Sequence, residues 1–140
     1  MCSKQAVLQT KEECEIVYAT AFGLYESSNY KEASMLFTQL VFSDPFEKKY
    51  WYALASSRQM EQDYVAALHA WSLAALLSER DPLPHFHAAE CMLSIGDFNE
   101  ALKALDAAQG RIKDKEKDRT LNGKIELLKQ LYSSKSPMES

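Results

Sequence analysis

The sequence predicts an all-α fold, a right-handed superhelical solenoid of three tandem helix-turn-helix repeats with a C-terminal capping helix. Three observations lead there: a self-similarity with a period of 34 residues, a composition that favours helix, and turn chemistry at the corners the period defines. The period is the strongest of them. With registers starting at Cys14, Lys48 and Pro82, position 8 holds Ala21, Ala55 and Ala89, and position 20 holds Ala33, Ala67 and Ala101. Position 17 holds Tyr30, Tyr64 and Phe98, position 16 holds Asn29, Asp63 and Asp97, and position 24 holds the bulky Phe37, Trp71 and Leu105, with no gap anywhere. Small residues at 8 and 20 let two antiparallel helices approach closely, because ridges must enter grooves without overpacking. The large residue at 24 fills the space between one repeat and the next.

This is the tetratricopeptide (TPR) pattern. The chain departs from it at position 4 (Val17, Trp51, His85) and position 11 (Leu24, Arg58, Met92), and only Pro45 supplies the proline of position 32. The composition agrees with helix. Of 140 residues, four are glycine and four proline, and 46% are apolar, enough for one domain with a modest core. The turns agree as well. Ser27-Ser28-Asn29 precedes Tyr30, Gly96-Asp97 precedes Phe98, Asp44-Pro45 closes repeat 1, and Asp81-Pro82-Leu83-Pro84 separates repeats 2 and 3.

The layout follows from the register. Residues 1–13 form an N-terminal segment, with room for a short leading helix; 14–47, 48–81 and 82–115 are the three repeats; 116–132 is the capping helix; 133–140 is a disordered polar tail. Helices are expected near 14–27, 31–44, 48–61, 65–77, 82–95 and 98–109, with Gly110 as a stop. The run from Arg111 to Arg119 reads as a solvated charged stretch. Leu121, Ile125, Leu128 and Leu131 recur at helical spacing, giving a final helix that covers the apolar edge solenoids leave exposed.

Several function classes are excluded. The net charge is −4 and the isoelectric point is near 5.4, whereas nucleic-acid binders need a basic face. No apolar run approaches the roughly 20 residues that span a bilayer. The opening MCSKQAVLQTKEECE lacks the apolar core and cleavage site of a secretion signal. Cys2, Cys14 and Cys91 are odd in number, widely spaced and without a CxxC pair, which suits a reducing compartment better than a disulfide framework or zinc site. His85 and His87 lie two apart on a helix and diverge too far to share a metal. Cys91 reads as a small buried apolar residue, and no glycine-rich phosphate loop occurs. The sequence therefore gives no catalytic residues, no metal and no cofactor.

It does give a binding surface. In stacked helix pairs the first helix of each repeat lines the concave side, through positions near 2, 5, 9, 12 and 13. Those positions bring forward Tyr18, Phe22 and Tyr25 of repeat 1, Tyr52, Gln59 and Met60 of repeat 2, and Phe86, Glu90 and Leu93 of repeat 3 as the candidate peptide-binding residues. Tyr18, Phe22 and Tyr25 fall at i, i+4 and i+7, on one helical stripe. Tyr52 and Phe86 repeat position 5, so Tyr18, Tyr52 and Phe86 are expected to share one trough. Tyrosine offers wide contact at small entropic cost and keeps a hydroxyl for a peptide backbone. Such a trough suits an extended segment with spaced apolar or proline anchors.

The run Pro84-His85-Phe86-His87-Ala88-Ala89-Glu90-Cys91-Met92-Leu93, with Gly96-Asp97 and Glu100-Ala101 behind it, resembles the third repeat of the class II type III secretion chaperones, the SycD/LcrH group. Ala21 to Ser27 before Asn29-Tyr30, and Ser57-Arg58-Gln59 ahead of Asp63-Tyr64, are similar to the same group, and the likeness covers about residues 14–132. The resemblance implies a cytoplasmic bacterial chaperone of hydrophobic translocator proteins. It implies that an N-terminal segment of the client, with a PxLxxP-like motif, lies extended in the concave groove, which keeps the client soluble and competent for secretion. The family's groove aromatics match Tyr18, Phe22 and Tyr25. Family members also form homodimers, often through the segment ahead of repeat 1, which looks shorter here. The residues alone leave two alternatives open: an adaptor or scaffold for a folded partner, and a regulator of secretion gene expression acting through protein contacts.

Overall fold

The computed structural model describes residues 10–135, and among them every regular element is an α-helix. The order is α1 (Lys11–Glu26), α2 (Tyr30–Ser43), α3 (Lys48–Met60), α4 (Tyr64–Leu77), α5 (Pro82–Ser94), α6 (Phe98–Gly110) and α7 (Arg119–Ser133). Each helix packs on its neighbours in the chain, and α1 also touches α3, so α1, α3 and α5 line one side of the stack and α2, α4 and α6 the other.

The alanines explain the packing. All six at positions 8 and 20, Ala21, Ala33, Ala55, Ala67, Ala89 and Ala101, are 0% exposed. At such contacts each extra methylene forces neighbouring side chains off their rotamers. Phe37, Trp71 and Leu105 at position 24 are buried too. The core falls into two clusters. The larger runs from Ala21 and Phe37 through Tyr50, Leu54 and Trp71 to Cys91. The smaller joins Phe86, Ala89, Leu105 and Ala108 to Ile112 and Ile125.

The three corners are copies of one another. Ser28 (φ 67°), Gln62 (φ 67°) and Gly96 (φ 85°) occupy the same repeat position in the left-handed region. After each, the next residue's N–H donates back over the turn: Asn29 to Leu24 O at 2.8 Å, Asp63 to Arg58 O at 3.0 Å, Asp97 to Met92 O at 2.9 Å. This is the Schellman closure, which satisfies carbonyls the helix end leaves free. Asp63 and Asp97 then cap α4 and α6 by accepting from Ala66 N and Glu100 N.

Some boundaries differ from expectation for physical reasons. α1 starts at Lys11 rather than 14, because Thr10 and Glu13 form a reciprocal capping box. α7 starts at Arg119 rather than 116, because the Asp114 carboxylate accepts from the Glu116 and Lys117 N–H groups and holds a turn there. Gly110 is the last residue of α6, not a stop beyond it. The stretch after it is not wholly solvated. Ile112 is buried in the smaller core cluster, and the Arg111 side chain donates to the Glu79 carbonyl at 2.7 Å. On α7, Leu121, Ile125 and Leu128 face the core as expected, but Leu131 is exposed, and Tyr132 instead stacks on Phe98 at 5.5 Å. Lys129 pairs with Asp106 at 2.7 Å and fastens α7 to α6. The leading segment 1–9, with Cys2, and the end of the tail, 136–140, lie outside the described residues.

Candidate functional site: an aromatic trough

Between α1 and α3 lies an open hollow of about 380 Å³, lined by Tyr18, Phe22 and Tyr25 of α1, Lys48, Lys49, Tyr52, Ala53 and Ser56 of α3, with Phe37 of α2 and Asp81 ahead of α5. Its α1 wall is a chain of rings. Tyr18 and Phe22 have centroids 6.0 Å apart, Phe22 and Tyr25 6.4 Å, and Tyr25 meets Tyr30 edge-on at 5.2 Å. Tyr18 also leans on Phe37 and Tyr50, each at 5.8 Å, so the core holds its ring from behind. Phe22 is 43% exposed, a large apolar ring left open to solvent at the wall.

Tyr52 forms the far wall. Its hydroxyl donates to the Asp81 carboxylate, and Asp81 in turn accepts from the Leu83 N–H at 2.9 Å as the cap of α5. Burial pushes the Tyr52 phenol up to about 12, helped by the bond to Asp81. Burial likewise raises Tyr18 and Tyr25. These phenols stay neutral at physiological pH. The Lys49 ammonium sits 4.9 Å from the Tyr18 centroid, in cation–π range.

The structure thus brings Tyr18, Phe22, Tyr25 and Tyr52 together and separates the other expected residues from them. Phe86 is 4% exposed and belongs to the smaller core cluster. It does not share a trough with Tyr18 and Tyr52, because the capping helix turns position 5 of repeat 3 into core; its remaining edge lines a second hollow with Leu83, His87 and Leu121. Gln59 and Glu90 spend their polar groups on each other. Trp71 Nε1 donates to Gln59 Oε1 at 2.8 Å, Gln59 Nε2 donates to Glu90 Oε1 at 3.0 Å, and His87 Nδ1 lies 2.8 Å from the same oxygen. Burial alone would raise the Glu90 carboxyl, but the bonds from His87 and Gln59 and the nearby Lys124 charge prevail and hold it below its ordinary value. His87 completes the seam by stacking on Trp71 at 4.7 Å. Met60 is exposed at the end of α3 and Leu93 is half-buried, and neither lines the first hollow.

Phe37, Lys48, Ala53 and Asp81 line the hollow without having been singled out as concave. Phe37 is the position-24 residue of repeat 1, and Asp81 is a turn residue whose carboxylate swings back towards α3. Lys49 and Ser56 do stand at inward register positions. Cys91 is fully buried, and burial pushes its thiol up to about 12, so it stays protonated and unreactive. Burial and the Arg111 charge lower His85, with Asp81 opposing. Among the described residues, no three potential ligands gather to hold a metal, and no helix is long and apolar enough to cross a membrane.

No family model matches the chain. It is 31% identical over 130 residues to the low calcium response locus protein H of Yersinia pestis, covering 93% of this chain and 77% of that protein. Its fold superimposes with a TM-score of 0.84 on the type III secretion chaperone SycD of Yersinia enterocolitica in complex with a peptide of the translocator YopD, at 29% identity over 90% of this chain and 96% of that one. It superimposes with a TM-score of 0.83 on PcrH in complex with the chaperone binding region of PopD, at 25% identity over 91% and 96% of the two chains.

Proposed function

The chain belongs to the SycD/LcrH family of type III secretion chaperones, and from that premise we propose that it holds an extended segment of a hydrophobic translocator in the trough between α1 and α3. The client stays soluble and competent for secretion while it is held. The protein acts by binding in the bacterial cytoplasm and catalyses nothing.

The observation that carries this reading is the open ring wall of Tyr18, Phe22 and Tyr25 facing Tyr52 across a hollow of about 380 Å³. A volume of that order takes an apolar anchor of a peptide and leaves the strand on either side in solvent. The Tyr18 ring is fixed from behind by Phe37 and Tyr50, so that part of the wall loses little freedom on binding. The neutral phenols of Tyr18 and Tyr25 offer a donor and an acceptor to a backbone without a fixed sequence demand, which suits a chaperone with more than one client.

Co-expression with hydrophobic translocators of the same type III secretion system tests the reading. The expected result is a soluble complex that a Tyr18→Ala, Phe22→Ala double variant loses, since buried anchors of this kind cost about 1–4 kcal/mol on truncation. A double variant that keeps its client at wild-type affinity removes the trough from the mechanism.

A further inference from the structure

The trough is not electrically neutral. Two ammonium groups, Lys48 and Lys49, and one carboxylate, Asp81, line the first hollow, in a chain whose net charge is −4. The carboxylate is already engaged, with one oxygen accepting from the Tyr52 hydroxyl and the other from the Leu83 N–H. The lysines are not. Among the described residues neither has a carboxylate within ion-pair distance, although Glu47 precedes them in the chain. Lys49 instead lies over the rings of Tyr18 and Tyr50, 4.9 and 5.8 Å from their centroids. The second hollow also has two lysines, Lys117 and Lys124, beside Asp118, but there the Lys124 field is partly taken up by Glu90.

We propose that the first hollow takes an apolar anchor flanked by an acidic residue of the client, whose carboxylate is met by Lys48 and Lys49. The inference rests on the trough reading above and adds a charge rule to it. An acidic side chain next to the anchor meets two exposed ammonium groups at the rim of the hollow, one of them, Lys49, placed over the Tyr18 and Tyr50 rings. A basic side chain at the same place meets like charge, which suppresses wrong segments more strongly than the attraction favours right ones. The lysines thus select among extended apolar segments that the rings alone accept.

The test uses the full-length protein and three fluorescein-labelled synthetic peptides with a Pro-x-Leu-x-x-Pro core, identical except for Glu, Gln or Lys beside the leucine. Titrated by anisotropy at low salt, the Glu peptide is expected to bind about 3- to 10-fold tighter than the Gln peptide, with the Lys peptide weakest. The Glu advantage should fall towards one at about 1 M salt, where charges are screened within about 3 Å. It should also fall towards one in a Lys48→Gln, Lys49→Gln variant whose helical circular dichroism is unchanged. Equal binding of all three peptides overturns the charge rule and leaves the trough standing. An advantage that survives the double lysine variant also overturns it, since the discrimination then lies elsewhere. Failure of every peptide to bind brings down the trough reading and the rule together.

Discussion

The two halves of the concave side use the same repeat positions for opposite ends. Between repeats 1 and 2 the position-5 tyrosines, Tyr18 and Tyr52, face an open hollow. In repeat 3 the same position holds Phe86, which is core. Position 9 shows the same contrast: Phe22 stands in solvent while Glu90 accepts from Gln59 and pairs with His87. Position 12 has Tyr25 on the open wall and Gln59 inside the seam. One half is kept available and the other has used its side chains to lock repeats 2 and 3 together. The contrast separates two properties that a repeat register merges: facing inward, and being free to bind.

The sharpest way to break the comparison is to remove one ring from each half. Phe86→Ala is expected to cost about 3–5 kcal/mol of folding stability, as a buried phenylalanine does on truncation. Urea unfolding measures it. Phe22→Ala, with its ring already 43% exposed, should leave the urea midpoint nearly unmoved and act on client affinity. Equal loss of stability in the two variants would show that the open wall is structural and end the distinction.

The seam itself is the next target. Gln59→Ala leaves the buried Trp71 Nε1 without its acceptor and the Glu90 carboxylate without one donor. A buried polar group left unpaired costs about 1–3 kcal/mol, which thermal unfolding should register while peptide affinity stays put. The pH dependence carries the same information. The Glu90 carboxyl is held below its ordinary value in the folded state. Its contribution is therefore present above the unfolded carboxyl range and is lost as the pH falls through the folded value. In Glu90→Gln the acid limb of the stability profile should flatten. An unchanged limb would mean that the Glu90 bonds add nothing to folding.

Much of this was legible in the sequence, because close helix packing leaves a residue-level signature. Alanine at positions 8 and 20 and bulk at 24 fixed six helices to within three residues, since nothing larger than a methyl fits where the backbones approach. The ring wall was legible for a related reason: aromatic residues at i, i+4 and i+7 must share a face. What was not legible was tertiary competition. Gln59, Glu90 and Phe86 stand at inward positions, but the groups that engage them across the packing, Trp71, Gln59 and Ile125 respectively, come from other helices, and no spacing rule announces that they meet. The start of α1 was missed although its signal was present, in the Thr10 to Glu13 capping box. The delayed start of α7 turns on Asp114 choosing local N–H groups over a helix, a balance that charge patterning does not display.

The corners carry the comparison down to its smallest term. All three close through a left-handed residue, but repeat 3 uses Gly96 where repeats 1 and 2 use Ser28 and Gln62. A side chain with a Cβ in that region costs about 1–2 kcal/mol, and glycine avoids the cost at the expense of greater freedom in the unfolded chain. The difference between those terms is the expected gain from Gln62→Gly, about 0.5–1 kcal/mol of added stability, read as a small rise in unfolding midpoint. The reverse change, Gly96→Ala, should lower it by a similar amount; a Cβ there meets no atom within 4 Å, so the loss would be conformational and not steric. Gln62 lies at the corner of the repeat that supplies Tyr52 to the trough. If Gln62→Gly raises stability and leaves client affinity unchanged, the open half owes its availability to its side chains. If affinity falls as stability rises, strain at the corner is part of how α3 is presented to α1, and the two halves differ in backbone as well as in occupancy.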